Sequence, residues 1–264
     1  MLLTIGMPSY DNFADVWFTV QALRMYHDMT DCEILVVDNK GDARLAEWVK
    51  GWGAGLVRYE LYTETNGTAP AKQSVFDNAR GDWVVCVDSH ILLAPGAVAR
   101  VKDWIRANPE NDDLIHGPMV YDALNSYTDR MLPVWRGQMW GIWGPVQKVL
   151  PPEPYEIEMH GGGVFGARRE SWLGFNPSFK GFGGEEGYIH QKYRQAGRRV
   201  LCLPWLVWCH KFNRSQVPYP LLQRDKIRNY LIGFKELGLD TAPIKEHFGP
   251  NPVEKIEREL CRES

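Results

Sequence analysis

Alternation of short apolar segments with amphipathic ones over the first 107 residues is the feature that most constrains the fold. Strand-like apolar segments occupy residues 2–8, 33–39, 56–62 and 82–89. Helical apolar spacing or helix-boundary residues are found at 13–27, 42–51, 69–80 and 95–107. Because alternating strands and helices fold into a mostly parallel sheet with helices on both faces, the sequence predicts an α/β fold.

The pattern changes after residue 108. Further elements are expected as a strand at 114–122, a strand, turn and short helix at 161–175, a helix at 185–197 and an apolar stretch at 199–210. Residues 133–155 contain three tryptophans and five prolines without a clear period, which predicts a long binding loop or lid. Two helices are expected in the tail, around 220–237 and 252–262.

Composition and length exclude several classes of protein. A chain of 264 residues suits one large domain, or one domain with an appendage, and can bury a core without disulfides or metals. The net charge of -3 gives no general attraction to nucleic acid or anionic membranes. Five scattered cysteines without a Cys-x-x-Cys pair argue against a disulfide framework and a zinc module.

The sequence shows neither a signal-peptide pattern at its start nor an apolar run of about 20 residues. We therefore expect no membrane insertion and a cytoplasmic location. The sequence leaves the oligomeric state open.

Polar side chains follow three of the predicted strands, at Ser9, Asp38 and Asp88. Since ligands of such sheets bind at the carboxyl ends of the strands, these residues mark one crevice. Asp88 and His90 are two apart just after a strand, so in an extended chain both side chains point the same way. A carboxylate with an imidazole suits an ion such as Mn²⁺, although such a triplet alone is more often a surface loop.

The segment GTAPAKQSVFDNARGDWVVCVDSH (67–90) is similar to the nucleotide-sugar glycosyltransferases of the GT-A fold. The matching positions are Gly67, Ala71, Lys72, Ala79, Gly81, Asp82, Trp83 and Asp88. TIGMPSYDN (4–12) resembles the first strand and turn of that family, and VVDNKG (36–41) resembles its base-binding or ribose-binding segment. Asp-Ser-His resembles the D-x-H variant of the polypeptide N-acetylgalactosaminyltransferases. The resemblance implies a GT-A (Rossmann-like) fold.

Two downstream segments extend the resemblance over residues 2–215. GGGVFGARRESWLGFNPSFKGFGGEE (161–186) resembles the glycine-rich segment shared with the β-1,4-galactosyltransferases. WCHKFNR (208–214) resembles the segment whose histidine completes the metal site, although bulky residues precede His210 where the family has small ones. The resemblance divides the chain into a catalytic domain, 1–218, and a helical C-terminal extension, 219–264, that packs on it or contacts the acceptor.

The resemblance implies a UDP-sugar donor and a divalent cation, Mn²⁺ or Mg²⁺, held by Asp88, His90 and His210. Residues expected to contact the nucleotide-sugar are Pro8, Ser9, Tyr10, Asp38, Lys72, Asp88, Ser89, Arg136, Gly162, Gly163 and Gly184. Arg136 is expected to reach the diphosphate, and Trp135, Trp140 or Trp143 to cover the donor, when the 133–155 loop closes.

Glu185 and Glu186 are the candidate catalytic carboxylates. The resemblance implies transfer of a hexose or N-acetylhexosamine to an acceptor hydroxyl, and the D-x-H triplet favours retention of configuration. The alternative is inversion, with Glu185 or Glu186 as general base. A different class, a metal-dependent hydrolase with Glu185 as base, is also compatible with these residues.

The acceptor is a protein, a glycan or a hydroxylated DNA base, and the sequence does not distinguish them. The segment QRDKIRNYLIGFK (223–235) is basic and aromatic, so it either follows a phosphate backbone or forms an amphipathic helix packed on the catalytic domain. The packed helix is the simpler interpretation.

Overall fold

The computed structural model describes residues 1–121, 123–212 and 220–263. Its strands are β1 Leu3–Ser9, β2 Cys32–Asp38, β3 Arg58–Leu61, β4 Trp83–Val87, β5 Ile91–Leu93, β6 Leu114–His116, β7 Met119–Val120, β8 Tyr127–Thr128, β9 Met131–Arg136, β10 Met139–Trp143, β11 Tyr155–Glu156, β12 Val164–Arg168, β13 Val200–Cys202 and β14 Trp208–His210. Its helices are α1 Phe13–Tyr26, α2 Ala43–Lys50, α3 Thr68–Asn78, α4 Ala97–Ala107, α5 Glu185–Gln195, α6 Gln223–Glu236, α7 Ala242–Phe248 and α8 Pro250–Glu263.

The main sheet has eight strands in the order β11-β13-β6-β12-β4-β1-β2-β3. Around β1 the pairing is parallel, with β2 on one side and β4 on the other. β12 inserts antiparallel between β4 and β6, so the sheet is mixed. A smaller sheet has the order β5-β14-β7-β8. The predicted α/β fold with a large central sheet is confirmed.

Both faces of the main sheet are buried, because the side chains of its strands alternate between two cores. In β4, Val85 and Val87 enter the core that includes α1, whereas Val84 and Cys86 enter the core that includes α3. A strand buried on both faces has to be apolar throughout, which explains the uninterrupted VVCV sequence. The sheet therefore carries polar groups where its strands end.

Residues 131–143 form a β-hairpin with a register shift between Trp140 and Ile142, which corrects the expectation of an aperiodic loop over 133–155. β9 and β10 pair antiparallel with Trp135 opposite Trp140. Cross-strand pairing of two aromatic side chains stabilises such a ribbon despite its glycines. Trp135 and Trp140 also pack against the core of the C-terminal helices, so the aromatic content of this segment serves packing as well as the cavity.

The C-terminal helices pack on the sheet domain through α6. The Asn229 side chain donates to the carbonyls of Lys180 and Gly183, at 2.8 Å each, and accepts from the Lys180 amide at 3.2 Å. Lys226 and Arg228 are buried in this packing, which favours the packed helix over a strip that follows a phosphate backbone. The tail also contains α7, which the sequence pattern did not predict.

The proposed boundary between residues 218 and 219 falls at 213–219, outside the described residues. Among the residues that the structure describes, none of the helices is both long enough and apolar enough to cross a lipid bilayer.

Replacing Asn229 by alanine should destabilise the protein by about 3 kcal/mol, because three buried or partly buried backbone groups lose their partner. Urea unfolding followed by circular dichroism measures the change. Lys235→Ala, an exposed position on the same helix, is the control and should change the free energy of unfolding by less than about 0.5 kcal/mol. Equal stability of Asn229→Ala and the native chain would contradict this account of the packing.

Candidate active site at the carboxyl ends of the strands

A cavity of about 370 Å³ lies where β1 and β4 end. Such a volume is within the range of small-molecule binding sites. Its lining residues are Pro8, Ser9, Tyr10, Asn12, Asn39, Thr68, Ala71, Lys72, Asp88, His90, Trp143, Gly161, Gly162, Gly163, Phe182, Glu186, Trp208, His210, Phe212 and Leu221. Its walls thus combine aromatic side chains with one compact group of charged and imidazole side chains.

Asp88 reaches the cavity because β12 pairs with β4. Val164 lies opposite Val87, and the Asp88 amide donates to the Gly163 carbonyl at 2.8 Å. A Cβ atom at Gly163 would lie 2.5 Å from the Trp208 ring and 3.4 Å from the Asp88 carboxylate. A side chain larger than hydrogen therefore does not fit at residue 163 without moving the Trp208 indole.

His90 and His210 are brought together by the smaller sheet. β14 pairs with β5 so that His210 lies opposite Ile91, and the Lys211 amide donates to the His90 carbonyl at 3.1 Å. The two Nε2 atoms are 3.1 Å apart, and they lie 3.8 Å and 3.5 Å from Asp88 Oδ2. The structure therefore brings the three predicted ligands to one point, with ligand atoms within 4.8 Å of one another.

This arrangement fits a divalent cation. Two ligands bound to one ion at about 2.2 Å and at right angles lie roughly 3 Å apart, close to the separation of the imidazole nitrogens. One carboxylate oxygen and two imidazole nitrogens match the preference of Mn²⁺ better than that of an ion restricted to oxygen ligands.

Lys72 supplies positive charge beside the carboxylates. Burial lowers the pKa of Lys72, but Asp88, Glu185 and Glu186 outweigh burial and raise it, so the ammonium stays protonated. Burial opposes ionisation of Asp88, yet Lys72, together with the hydrogen bond from His210, holds the pKa of that carboxyl well below its ordinary value. Asp88 is consequently ionised at neutral pH.

The two neighbouring glutamates at the start of α5 have different surroundings. Glu186 lines the cavity, and its Oε1 accepts from the Gly162 amide at 3.2 Å. Glu185 is 2% exposed and accepts from the Thr68 hydroxyl at 2.5 Å. Burial, followed by the charge of Glu185, raises the pKa of Glu186 to about 7, against the lowering effect of Lys72. Such a carboxyl exchanges a proton near neutral pH.

The structure divides the predicted site residues into two groups. Those that line the cavity are Pro8, Ser9, Tyr10, Lys72, Asp88, His90, Gly162, Gly163, Glu186 and His210. Those outside the lining are Asp38, Ser89, Arg136, Gly184 and Glu185.

Asp38 organises the loop after β2 instead of facing the cavity. Its carboxylate accepts from the amides of Lys40, Gly41 and Asp42 at 2.8–3.0 Å and from the Tyr59 hydroxyl at 2.9 Å. The cavity is lined by the next residue, Asn39, whose side chain also holds the 62–67 segment through hydrogen bonds.

The remaining predicted residues lie around the cavity. The Ser89 carbonyl accepts from Thr19 at 2.9 Å, which fixes the turn that carries Asp88 and His90. Arg136 is exposed at the end of β9. Gly184 precedes α5 with φ of 94°, a conformation that favours glycine, and so it aims the start of α5.

Sequence reasoning missed several residues of the site. Thr68 and Asn39 position other site residues, and Phe182 and Phe212 form part of the wall. Asn39 is the last residue of the strand predicted at 33–39, and its position at a strand end is a signal that was available. The aromatic side chains gave no such signal, because the sequence contains 10 phenylalanines and no pattern distinguishes those that line the cavity from those in the core.

The sequence of this chain matches a known protein family. The profile of glycosyl transferase family 2 matches residues 4–172, more than half of the chain. The chain belongs to glycosyl transferase family 2. It is therefore a glycosyltransferase. No curated protein sequence gives a significant match.

Solved structures of similar fold support the GT-A assignment. GalNAc-T7 with UDP, GalNAc and Mn²⁺ has a TM-score of 0.69 at 17% identity, covering 89% of this chain and 48% of that one. TarS 1-349 of S. aureus with UDP-GlcNAc has 0.58 at 12%, covering 97% and 71%. Mannosyltransferase PcManGT of Pyrobaculum calidifontis with GDP-Man and Mn²⁺ has 0.57 at 16%, covering 98% and 74%. This chain thus spans about half of GalNAc-T7, and at these identities the likeness concerns the fold.

The raised pKa of Glu186 predicts a pH-dependent stability in the protein treated with EDTA. The folded state binds the Glu186 proton more tightly than the unfolded state, so the stabilisation is complete below pH 4.5 and is lost as pH rises to about 7. Relative to Glu186→Gln, the native chain should lose about 3 kcal/mol across this range.

Chemical denaturation of the native chain and of Glu186→Gln at pH 4.5, 6 and 7.5 measures this difference. Parallel pH profiles for the two proteins would contradict the assignment of a buried, proton-binding Glu186.

Proposed function

We propose that this chain transfers a sugar from a UDP-sugar to an acceptor hydroxyl, with the help of a divalent cation. The observation that carries the proposal is the convergence of Asp88, His90 and His210 in a cavity that also contains Lys72 and Glu186. The UDP, UDP-GlcNAc and Mn²⁺ present in the similar structures support the choice of donor and cation. A hexose or an N-acetylhexosamine is the proposed sugar.

Asp88, His90 and His210 would hold Mn²⁺, or alternatively Mg²⁺. A cation bound there supplies positive charge to the diphosphate leaving group. Lys72 adds a second positive charge within the same cavity, so the chain itself stabilises the charge that grows as the glycosidic bond breaks.

The nucleotide would lie against the end of β1, where Pro8, Ser9 and Tyr10 line the cavity. The Ser9 hydroxyl is buried and has no hydrogen-bond partner within the described residues. Since a buried hydroxyl without a partner is unfavourable, a polar group of the nucleotide is a suitable partner. Gly162 and Gly163 leave room for the donor sugar on the opposite side.

Glu186 is the proposed general base, in preference to Glu185. Its carboxyl group faces the cavity and titrates near neutrality, as a base that takes a proton from an acceptor hydroxyl requires. Glu185 is held behind it by Thr68. A base on the acceptor side supports inversion of configuration, the alternative to the retention that the D-x-H triplet favours.

The acceptor, whether a protein, a glycan or a hydroxylated DNA base, remains part of the proposal. The division into a catalytic domain, 1–218, and a helical extension, 219–264, likewise stays a proposal. The burial of Lys226 and Arg228 reduces the positive charge that α6 offers to DNA, so a protein or glycan hydroxyl is the better-supported acceptor.

UDP with Mn²⁺ should stabilise the protein, and EDTA should abolish this effect. A free nucleotide concentration of 100 times Kd adds about 2.7 kcal/mol, which corresponds to an increase in Tm of about 5–10 °C. Asp88→Ala should lose both the shift and the transferase activity while keeping its circular dichroism spectrum. Scanning fluorimetry with UDP or GDP, with and without Mn²⁺, measures the shift. Metal-independent stabilisation by UDP, or an active Asp88→Ala, would refute the metal site.

Glu186→Gln should lower kcat by about 10²–10⁴-fold, because the amide cannot accept the proton. Glu185→Gln should keep kcat within about 10-fold of the native value, since Glu185 accepts a hydrogen bond from Thr68 and lies outside the cavity lining. Mass spectrometry of UDP-sugars incubated with Ser/Thr-rich peptides, glycans and hydroxymethylated DNA identifies the acceptor.

The anomeric configuration of the first product, followed by NMR, then separates the two mechanisms. An inverted product supports Glu186 as base, whereas a retained product or an active Glu186→Gln overturns that role.

A further inference from the structure

Three buried histidines lie directly behind the cavity, and the proposed catalytic steps do not use them. His116, on β6, His160, before the glycine run, and His190, on α5, are each 1% exposed or less. They are also distinct from His90 and His210, the proposed cation ligands. Burial of three imidazoles costs free energy unless each makes specific hydrogen bonds, so their contacts are informative.

His190 uses both ring nitrogens. Its Nδ1 contacts the main-chain carbonyl of Glu186, one helical turn earlier. Its Nε2 accepts from the main-chain amide of His160 at 3.2 Å. A neutral imidazole with its proton on Nδ1 satisfies both contacts, because it donates to the carbonyl and accepts from the amide. Burial lowers the pKa of His190 to about 3, so the ring stays neutral at physiological pH.

These contacts close a ring of covalent and hydrogen bonds through His160, Gly162, Glu186 and His190, which we call the circuit. From His160 the chain runs two residues to Gly162, whose amide donates to Glu186 Oε1 at 3.2 Å. From Glu186 the helix runs one turn to His190, which returns to His160. The His190 imidazole thus connects α5, which carries Glu186, to the 160–162 loop, whose Gly162 amide donates to the Glu186 carboxylate.

His116 holds this circuit against the main sheet. Its Nε2 lies 2.9 Å from His190 Nε2, and its Nδ1 lies 3.1 Å from the Val164 carbonyl at the start of β12. A neutral His116 carries one ring proton, so only one of these two contacts is a hydrogen bond. The His116 ring also stacks on the His190 ring, with centroids 4.8 Å apart, so β6 restrains His190 from a second direction in addition to α5. A ring held from three elements has little freedom to move.

We propose that His190 is a positioning residue, which holds the Gly162 amide against the Glu186 carboxylate and so fixes the orientation of the general base. The inference rests on the proposed function, because it assumes that Glu186 takes the acceptor proton. Its structural part, the link from His190 to the 160–162 loop, stands independently of that role.

Loss of the link has a defined electrostatic consequence. The Gly162 amide favours the ionised form of Glu186, whereas Glu185 and Asp88 disfavour it and Lys72 favours it. Lys226, from α6, also faces the two glutamates. With the charged neighbours unchanged, removal of the amide raises the pKa of the base, so the acid limb of the kcat profile moves to higher pH.

Substitutions at residue 190 separate its two contacts. His190→Gln places an acceptor near the position of Nε2 and keeps the bond to the His160 amide. His190→Asn retains only the shorter contact to the Glu186 carbonyl, and His190→Phe retains neither. Tyr193→Phe is the matched control, since it is equally buried on the same helix and its hydroxyl lies near Ser171, away from the circuit.

Hydrogen exchange of the His160 and Gly162 amides, measured by NMR on the full chain, is the primary test. In His190→Asn and His190→Phe both amides should exchange at least about 10-fold faster, while His190→Gln and Tyr193→Phe should stay within about 3-fold. Native exchange rates in His190→Asn and His190→Phe would overturn the proposal.

Release of UDP from UDP-N-acetylglucosamine with Mn²⁺ is the second readout. In His190→Asn, kcat should fall about 10-fold with KM for the donor within about 2-fold, and its acid limb should move upward. Restoration of kcat in His190→Gln supports positioning, and equal loss in both variants contradicts it. An active Glu186→Gln in the same assay refutes the proposed base, whereas normal kinetics of His190→Asn beside an inactive Glu186→Gln refutes only the role of His190.

Discussion

The antiparallel pairing of β12 with β4 is the interaction on which the candidate site depends. It opposes Val164 to Val87 and ends in the hydrogen bond from the Asp88 amide to the Gly163 carbonyl. One pairing therefore sets the position of Asp88 and of the glycine run together. Because Gly162 contacts Glu186 and Lys72 lies against Gly162, the same register also determines where the Glu186 carboxyl and the Lys72 ammonium lie. A slip of one residue would reverse the side chains of the strand and separate all of them.

The second constraint is the small sheet, which joins residues far apart in sequence. His90 and His210 are 120 residues apart, yet pairing of β5 with β14 brings their nitrogens to 3.1 Å. Thr19, on α1, donates to the carbonyls of Ser89 and Ile91 and so fixes the turn between β4 and β5. His90 and His210 are thus supported by the small sheet, whereas Asp88 follows β4 of the main sheet.

Sequence patterns predicted the elements whose burial is uniform and missed those set by tertiary contacts. The apolar run of β4 predicts a strand because both of its faces are buried, and the order of the short motifs predicts Asp88, His90 and His210 as neighbours. The β9–β10 hairpin was not predicted, because the glycines and prolines of this segment interrupt the strand pattern. Its pairing of Trp135 with Trp140 is stabilised by contacts with the C-terminal helices, which the sequence pattern does not show. Asp38 and Asn39 show the same limit, since which of two adjacent polar residues faces the cavity depends on the turn.

The difference between the carboxylates follows from their neighbours and not from their chemical type. Asp88 lies near Lys72, His90 and His210, so its ionised form is stabilised despite burial, and its pKa is low. Glu186 shares Lys72 with Asp88, but burial, followed by the charge of Glu185, outweighs Lys72 and raises its pKa. Two carboxyl groups in one cavity whose pKa values are driven apart suit different tasks. An ionised carboxylate such as Asp88 suits the binding of a cation, and a carboxyl that titrates near neutral pH, such as Glu186, suits proton exchange with an acceptor hydroxyl. Lys72 connects the two carboxyl groups, because its ammonium lowers the pKa of both.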